Sequence, residues 1–259
     1  MSKFEFDGEK YKQASKHQKE WGNKLISGIN INGNENILDL GCGDGALTKQ
    51  LSTLVPNGKV IGIDASVGMI QTAKELETAN LTFVCLDIND MEYENLFDII
   101  FSNAALHWVK NHQQLLQNSF TALKANGILA WNFAADGNCS NFFDTVDEVM
   151  NMPSYQEFFI DYECPWYMPS KDDYMLLIEK AGFKQFDVSY ENADRYFANV
   201  DEMIKWIDQP SLVPFLKYLS NDKIESFRNK VVDIMIDKTK QSDGRCFETF
   251  RRLDIKAVK

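Results

Sequence analysis

No apolar run in this 259-residue chain approaches the roughly 18 residues that a helical membrane span needs. The opening MSKFEFDGEKYKQ lacks the apolar core of a secretory signal, so a cytoplasmic protein with no membrane partner is expected. The five cysteines (Cys42, Cys85, Cys139, Cys164, Cys246) have neither paired nor metal-ligand spacing. That argues against a disulfide framework, and no metal is expected. Histidine is scarce, at positions 17, 107 and 112 only. Positive charge is in deficit, with a net −11, which argues against a nucleic-acid partner. The deficit is uneven: Leu216 to Lys259 holds 11 basic and 7 acidic residues, so this tail is +4 and the remainder −15. A solvated helix face and a set of arginines that helps hold an anionic substrate both fit the tail.

The first part of the chain alternates short apolar runs with amphipathic segments. Ile37–Leu40, Lys59–Ile63, Leu81–Cys85, Phe97–Ser102 and Gly127–Phe133 read as strands, and Leu47–Leu54, Val67–Leu76 and His112–Leu123 as helices between them. This rhythm predicts βαβ units, hence an α/β fold with a doubly wound, mostly parallel sheet. Strands that are apolar throughout imply burial on both faces. After Phe133 the rhythm changes. Asn141–Met150, Lys171–Ala181, Val200–Ile207 and Asn221–Lys240 read as helices, and Phe183–Tyr190 and Cys246–Val258 as strands completing the sheet. The expectation is one domain over 1–259 with a core at 30–135, and a helical lid on the substrate side built partly from 140–180 and 192–244.

Chemistry concentrates at the strand ends. ILDLGCGDGALT (Ile37 to Thr48) is a strand, a glycine turn and a helix start, where bare backbone and free N–H groups receive a ligand. Asp39 and Asp44 beside Gly41 and Gly43 disfavour a pyrophosphate and favour a cationic ligand. This and the lack of a hydride-site pair count against a nicotinamide-dependent oxidoreductase. In KVIGIDAS, Asp64 stands 21 residues beyond Gly43, where a carboxylate accepts hydrogen bonds from ribose hydroxyls. Ala65 follows it, and Met69 with Ile70 offers apolar contact to a purine. In FVCLDIND, Asp87 suits an adenine amino group, with Ile88 framing the ring. FSNAALHWVKNH closes the fourth strand with Asn103, His107 and Trp108.

Taken in order, ILDLGCGDG, GIDAS, CLDIND, FDIIFSNAALHWV and LKANGILAW resemble a class I S-adenosylmethionine-dependent methyltransferase over about residues 30–135. The resemblance implies a Rossmann-like, seven-stranded sheet. It implies that S-adenosylmethionine is the cofactor, with Asp39, Gly41 and Gly43 around its methionine moiety, Asp64 on the ribose, Asp87 and Ile88 on the adenine, and Asn103 near the methyl group. The pattern Tyr11, Gln18, Trp21 is similar to the first helix of small-molecule carboxyl methyltransferases, which adds Gln18 on the cofactor side and Tyr11 on the substrate side. SNAALHW, the later Trp206–Ile207 pair and F-x-R-L from Phe250 to Leu253 resemble the trans-aconitate branch, with malonyl-carrier-protein methyltransferases of biotin synthesis as near kin.

Three roles fit His107: general base, hydrogen-bonding contact or helix cap. A carboxylate acceptor is already ionised and needs no base, so no catalytic residue is required for it. Trp108 and Trp131 are expected to wall the acceptor site. Arg252 is expected to bind an acceptor carboxylate, because a guanidinium does so bidentately. Arg251 and Arg252 face opposite ways on a strand, so at most one points inward. His112 is expected at the surface, at a helix start. The expected activity is methylation of a small anionic acceptor by a monomer or weak dimer. The alternatives are a malonyl-carrier-protein methyltransferase and a non-catalytic nucleoside-binding protein.

Overall fold

The protein is described by a computed structural model over residues 16–259, and it divides into two compact units. The first holds the chain up to Ala135, Trp166–Glu191 and Arg252–Lys259; the second holds Asp136–Pro165 and Asn192–Arg251.

In the first unit, β1 (Asn36–Leu40), β2 (Lys59–Asp64), β3 (Leu81–Cys85), β4 (Phe97–Asn103), β5 (Leu123–Ala134), β6 (Gln185–Asn192) and β9 (Arg251–Val258) form a seven-stranded sheet in the order β3-β2-β1-β4-β5-β9-β6. Strands β1 to β5 pair in parallel, and β9 runs antiparallel to β5. Helices α1 (Lys16–Ser27), α2 (Ala46–Leu54), α3 (Val67–Lys74), α4 (His112–Ala122) and α6 (Lys171–Lys180) accompany them.

Side-chain alternation explains why both faces are covered. Ile37, Ile99 and Phe101 join Leu25, Leu51 and Ile70 from α1, α2 and α3 in one apolar cluster. Leu38, Leu40 and Ile100 join Leu115, Leu116, Tyr174 and Ile178 from α4 and α6 in the other. Fully burying one such Leu or Ile contributes roughly 1.5–3 kcal/mol. Polar side chains start the helices: Ser66, Asn111 and Ser170 accept hydrogen bonds from the backbone N–H groups of Met69, Gln114 and Asp173.

The second unit contains α5 (Ser140–Met150), α7 (Val200–Trp206), α8 (Val213–Leu216), α9 (Asn221–Thr239) and the antiparallel pair β7 (Arg195–Phe197) with β8 (Cys246–Glu248). Its core is aromatic: Phe142 meets Trp206 edge-on at 5.5 Å, and Tyr155 meets Phe227 at 5.2 Å.

Two expectations need correction. The segment 140–180 does not belong to one unit, because Tyr174 and Ile178 make α6 part of the sheet's own core. Cys246–Val258 is two strands in two sheets. The chain between them spends its hydrogen bonds elsewhere, with the Thr249 carbonyl accepting from Cys139 N and Phe250 N donating to Asp194.

Glu248 holds the second unit's first helix. Its buried carboxylate accepts from Phe142 N at 2.9 Å, Asn141 N at 3.2 Å and Thr249 N at 2.7 Å. Glu248→Ala leaves those donors without their acceptor, and we expect a loss of about 2–3 kcal/mol in urea denaturation. An unchanged midpoint and slope removes this cap from the account of stability.

Candidate functional site

Strand β1 delivers the chain to Gly41, where φ is +73° and the N–H donates to the Ile63 carbonyl at 2.8 Å. A Cβ at Gly41 would stand 2.2 Å from the Cβ of Ala105, so both the left-handed backbone and the close approach demand glycine. A Cβ at Gly43 would meet nothing within 4 Å. Bare backbone there faces open space, as a ligand cradle requires.

These glycines share a solvent-open cleft with Asp39, Asp44, Lys19 and Asn103. Asp39 is buried and accepts from Thr48 Oγ1 at 2.7 Å. Burial pushes its carboxyl up to about 7; the Thr48 bond opposes this, and the charge of Asp64 adds to it. Asp44 accepts from Ala46 N at 3.1 Å, and Lys19 Nζ lies 3.4 Å from its other oxygen. Burial raises the Cys42 thiol well above its ordinary range, so it stays protonated and is no nucleophile.

Asp64, at the end of β2, accepts from Gly43 N at 3.0 Å and Ser66 N at 2.8 Å. Burial raises its carboxyl, and those two bonds work against the rise. It is thereby tied to the glycine turn, with Ala65 beside it and Met69 buried one helical turn on. Asp87 accepts from Asn89 N at 2.9 Å, which starts the turn Ile88–Asp90. Ile88 is buried, and its Cδ1 lies 3.9 Å from where a Gly41 Cβ would be. Asp64 through its bond to Gly43, Ile88 through its approach to Gly41 and Asn103 through the shared cleft bring the other strand ends to the glycine turn. Tyr11 and the side chain of Gln18 lie outside the described residues. Lys19 in the cleft was not anticipated, and no local sequence pattern marks it.

The end of β4 leads into the turn Leu106–Trp108. The His107 ring is half-buried, its Nδ1 is fully enclosed without a hydrogen-bond partner among the described residues, and its carbonyl accepts from Tyr167 N at 2.8 Å. Burial, then the positive charge of Arg252, pushes the imidazole down to about 3. Trp108 is half-buried, with its ring 5.3 Å from that of Trp166.

Arg252 is 3% exposed. Its Nε donates to Asn132 Oδ1 and its Nη2 to the Asn132 carbonyl at 3.0 Å, while its guanidinium carbon lies 4.0 Å from the Trp21 ring centre. It is thus the inward-facing member of the arginine pair, held by Asn132 and Trp21. Arg251 faces Asp136 at 3.9 Å.

Two expectations fail here. Trp131 is completely buried and packs with Phe133 in the apolar cluster beneath α4 and α6, because alternation along β5 turns both side chains to that face. It walls no cleft. His112 is 2% exposed, and its ring bonds both Tyr174 and the Leu106 carbonyl. Among the described residues no group of three His, Cys, Asp or Glu could hold a metal, and no helix is long and apolar enough to cross a membrane.

Comparison with known proteins gives this geometry its context. The methyltransferase domain family matches residues 31–182. An uncharacterized methyltransferase of Schizosaccharomyces pombe is 31% identical over 243 residues, covering 91% of this chain and 90% of that one. A trans-aconitate 2-methyltransferase of Enterobacter is 25% identical, covering 89% of this chain and 88% of that one. The crystal structure of the Bacillus subtilis YcgJ protein superposes with a TM-score of 0.61 at 16% identity, covering 94% of this chain and 98% of that one, which shows a shared fold. The glycine turn, the carboxylates around it and the β3-β2-β1-β4-β5 order all lie within the matched span; the chain belongs to the methyltransferase domain family and is a class I, S-adenosylmethionine-dependent methyltransferase.

Proposed function

We propose that this methyltransferase esterifies a carboxylate of a small acidic molecule, trans-aconitate-like in its chemistry. The observation that carries the reading is the setting of His107: its Nδ1 is enclosed with no partner among the described residues to orient it as a base, and burial with the nearby Arg252 charge favours the neutral imidazole. Amine, phenol and carbon nucleophiles usually need a proton removed, and an imidazole held near 3 is too weak a base to do it. A carboxylate is ionised at neutral pH and asks for no base. Arg252 adds a buried positive charge beside that imidazole, and its potential favours an anion. The trans-aconitate 2-methyltransferase of Enterobacter, similar over most of its length, supports the same acceptor class.

When bound, S-adenosylmethionine supplies an electrophilic methyl group on a sulfonium, open to in-line displacement. The residues serve as holders. Asp39, Gly41 and Gly43 surround the methionine moiety. Asp64 accepts from the ribose hydroxyls, and Asp87 from the adenine amino group. Ala65, Met69 and Ile88 pack against the purine, and Asn103 flanks the methyl end. His107 and Trp108 contact the acceptor, and alignment in a dry site does the rest.

Removing the ribose acceptor with Asp64→Ala should weaken cofactor binding by about 1–3 kcal/mol in calorimetry. Unchanged affinity takes Asp64 out of the site, and NAD binding without a response to S-adenosylmethionine overturns the cofactor assignment.

Asp39 makes binding pH-dependent. Its carboxyl, raised to about 7, is about half protonated near neutrality, and a cationic ligand beside it lowers that value and expels a proton. Cofactor affinity should rise between about pH 6 and 8, and calorimetry in two buffers of different ionisation enthalpy should show proton release. Asp39→Asn should abolish both. A pH-independent wild type contradicts this account.

The acceptor is tested by screening di- and tricarboxylates for methyl transfer and treating the product with mild base. A base-labile ester, with His107→Asn retaining turnover and a kcat that is flat between about pH 6 and 9 at saturating S-adenosylmethionine, is the expected result. Base-stable methylation, or loss of turnover with a vanished pH limb, overturns the carboxylate reading. Turnover on malonyl-carrier protein alone selects the carrier alternative. Tight binding without turnover on any acceptor selects a nucleoside-binding protein.

A further inference from the structure

Among the described residues, the methyl-transfer machinery leaves unused a buried titratable pair, His112 with Tyr174. The Leu106 carbonyl can only accept, so His112 Nε2, 2.9 Å away, carries the ring proton. Nδ1 is then the acceptor, and the Tyr174 hydroxyl, 2.9 Å away, donates to it. The direction is fixed from α6 through the imidazole to the carbonyl of the residue just before His107. Burial holds His112 down to about 4 and the Tyr174 hydroxyl far above its ordinary range, so neither group changes state near neutrality. Phe133 and Tyr167 enclose the imidazole, with ring centres 5.3 and 4.7 Å from it.

This chain is one of several links between segment 166–174 and the same turn. Tyr167 N donates to the His107 carbonyl at 2.8 Å, Lys110 Nζ donates to the Trp166 carbonyl at 3.1 Å, and the Trp166 ring packs on Trp108. The backbone on both sides of the His107 side chain is therefore set from outside the turn. The turn's own bonds run from Trp108 N to the Ala105 carbonyl and from Val109 N to the Leu106 carbonyl. Two short bonds leave a three-residue turn poorly determined by itself.

We propose that His112 and Tyr174 are positioning residues for methyl transfer, a relay through which α6 fixes the Leu106–Trp108 turn and so the aim of His107 and Trp108 at the acceptor. The inference rests on the reading that this turn contacts the acceptor. It is specific to the acceptor side, because Asp64 bonds the glycine turn at Gly43 and, among the described residues, no hydrogen bond joins either to α6.

Three variants test it. Tyr174→Phe removes one oxygen and keeps the ring. His112→Phe removes both bonds, and His112→Gln restores a donor. For acceptor turnover we expect kcat/KM to fall about tenfold in Tyr174→Phe and further in His112→Phe, with part of the loss recovered in His112→Gln. The S-adenosylmethionine Kd should stay within about twofold, and the double variant Tyr174→Phe/His112→Phe should be no worse than His112→Phe alone. Hydrogen exchange of the intact protein supplies a readout free of any acceptor: Val109 and Tyr167 amides should lose protection in Tyr174→Phe while β1 and β2 amides keep theirs. If wild-type enzyme methylates no carboxylate, the ester reading fails and the exchange pattern still decides the relay. Unchanged exchange at Val109 and Tyr167 in Tyr174→Phe overturns the proposal, as does a parallel fall in cofactor affinity and acceptor turnover, which marks a general loss of structure. If His112→Phe fails to fold, Tyr174→Phe and His112→Gln carry the same test.

Discussion

The parallel pairing of β1 with β4 is the constraint on which the site depends. Ile37, Leu38 and Asp39 register with Ile99, Ile100 and Phe101, and on either side of that pair the strand order runs outward in opposite directions. Connections leaving in opposite directions open a crevice at the carboxyl ends of the two strands. Gly41 and Asn103 stand on its two sides and share the cleft. The register also explains the glycine itself, because it brings Ala105 to where a Gly41 side chain would have to be. Sheet topology, turn composition and ligand space are three consequences of one pairing.

Asp39 and Asp44 line the crevice, and Asp64 is bonded to its glycine turn; a buried carboxylate needs hydrogen-bond donors. Each is kept in place by donors. Thr48 serves Asp39, two backbone N–H groups serve Asp64, and Ala46 N with Lys19 serves Asp44. The donors do not fully offset desolvation, since Asp39 and Asp64 both remain raised. A cation entering the cleft would relieve that imbalance, so the fixed carboxylates favour a positively charged ligand there.

Legibility in the sequence divided along the same line. The glycine turn, the strand-ending aspartates and the helix starts are local features, with causes and effects only a few residues apart. Their positions could be read off directly. The acceptor side is non-local. Tyr174, which hydrogen-bonds the buried His112, lies 62 residues beyond it. No pattern near Asn111 distinguishes a buried histidine from a surface one at a helix start. Trp131 failed for a different reason. Its period-2 relation to Phe133 was present in LAWNFA, but which face of β5 meets the helices depends on β9 and α6, both far along the chain.

That face assignment also explains Arg252. Phe133 and Trp131 pair with Leu253 and Ile255 on the apolar side, so Asn132 and Ala134 share the opposite side with Asp254 and Arg252. Asn132 then sits diagonally across from Arg252, within reach of its guanidinium. Its Oδ1 accepts from Arg252 Nε, while its Nδ2 donates to Glu191 at 3.0 Å, and Glu191 in turn pairs with Lys24 at 2.6 Å. A neutral amide thus stands between the arginine and that carboxylate. Had Glu191 met the guanidinium directly, the two charges would have cancelled at short range, and the potential that adds to burial in lowering His107 would have been weaker. The interposed amide satisfies both groups while leaving the positive charge felt by its surroundings.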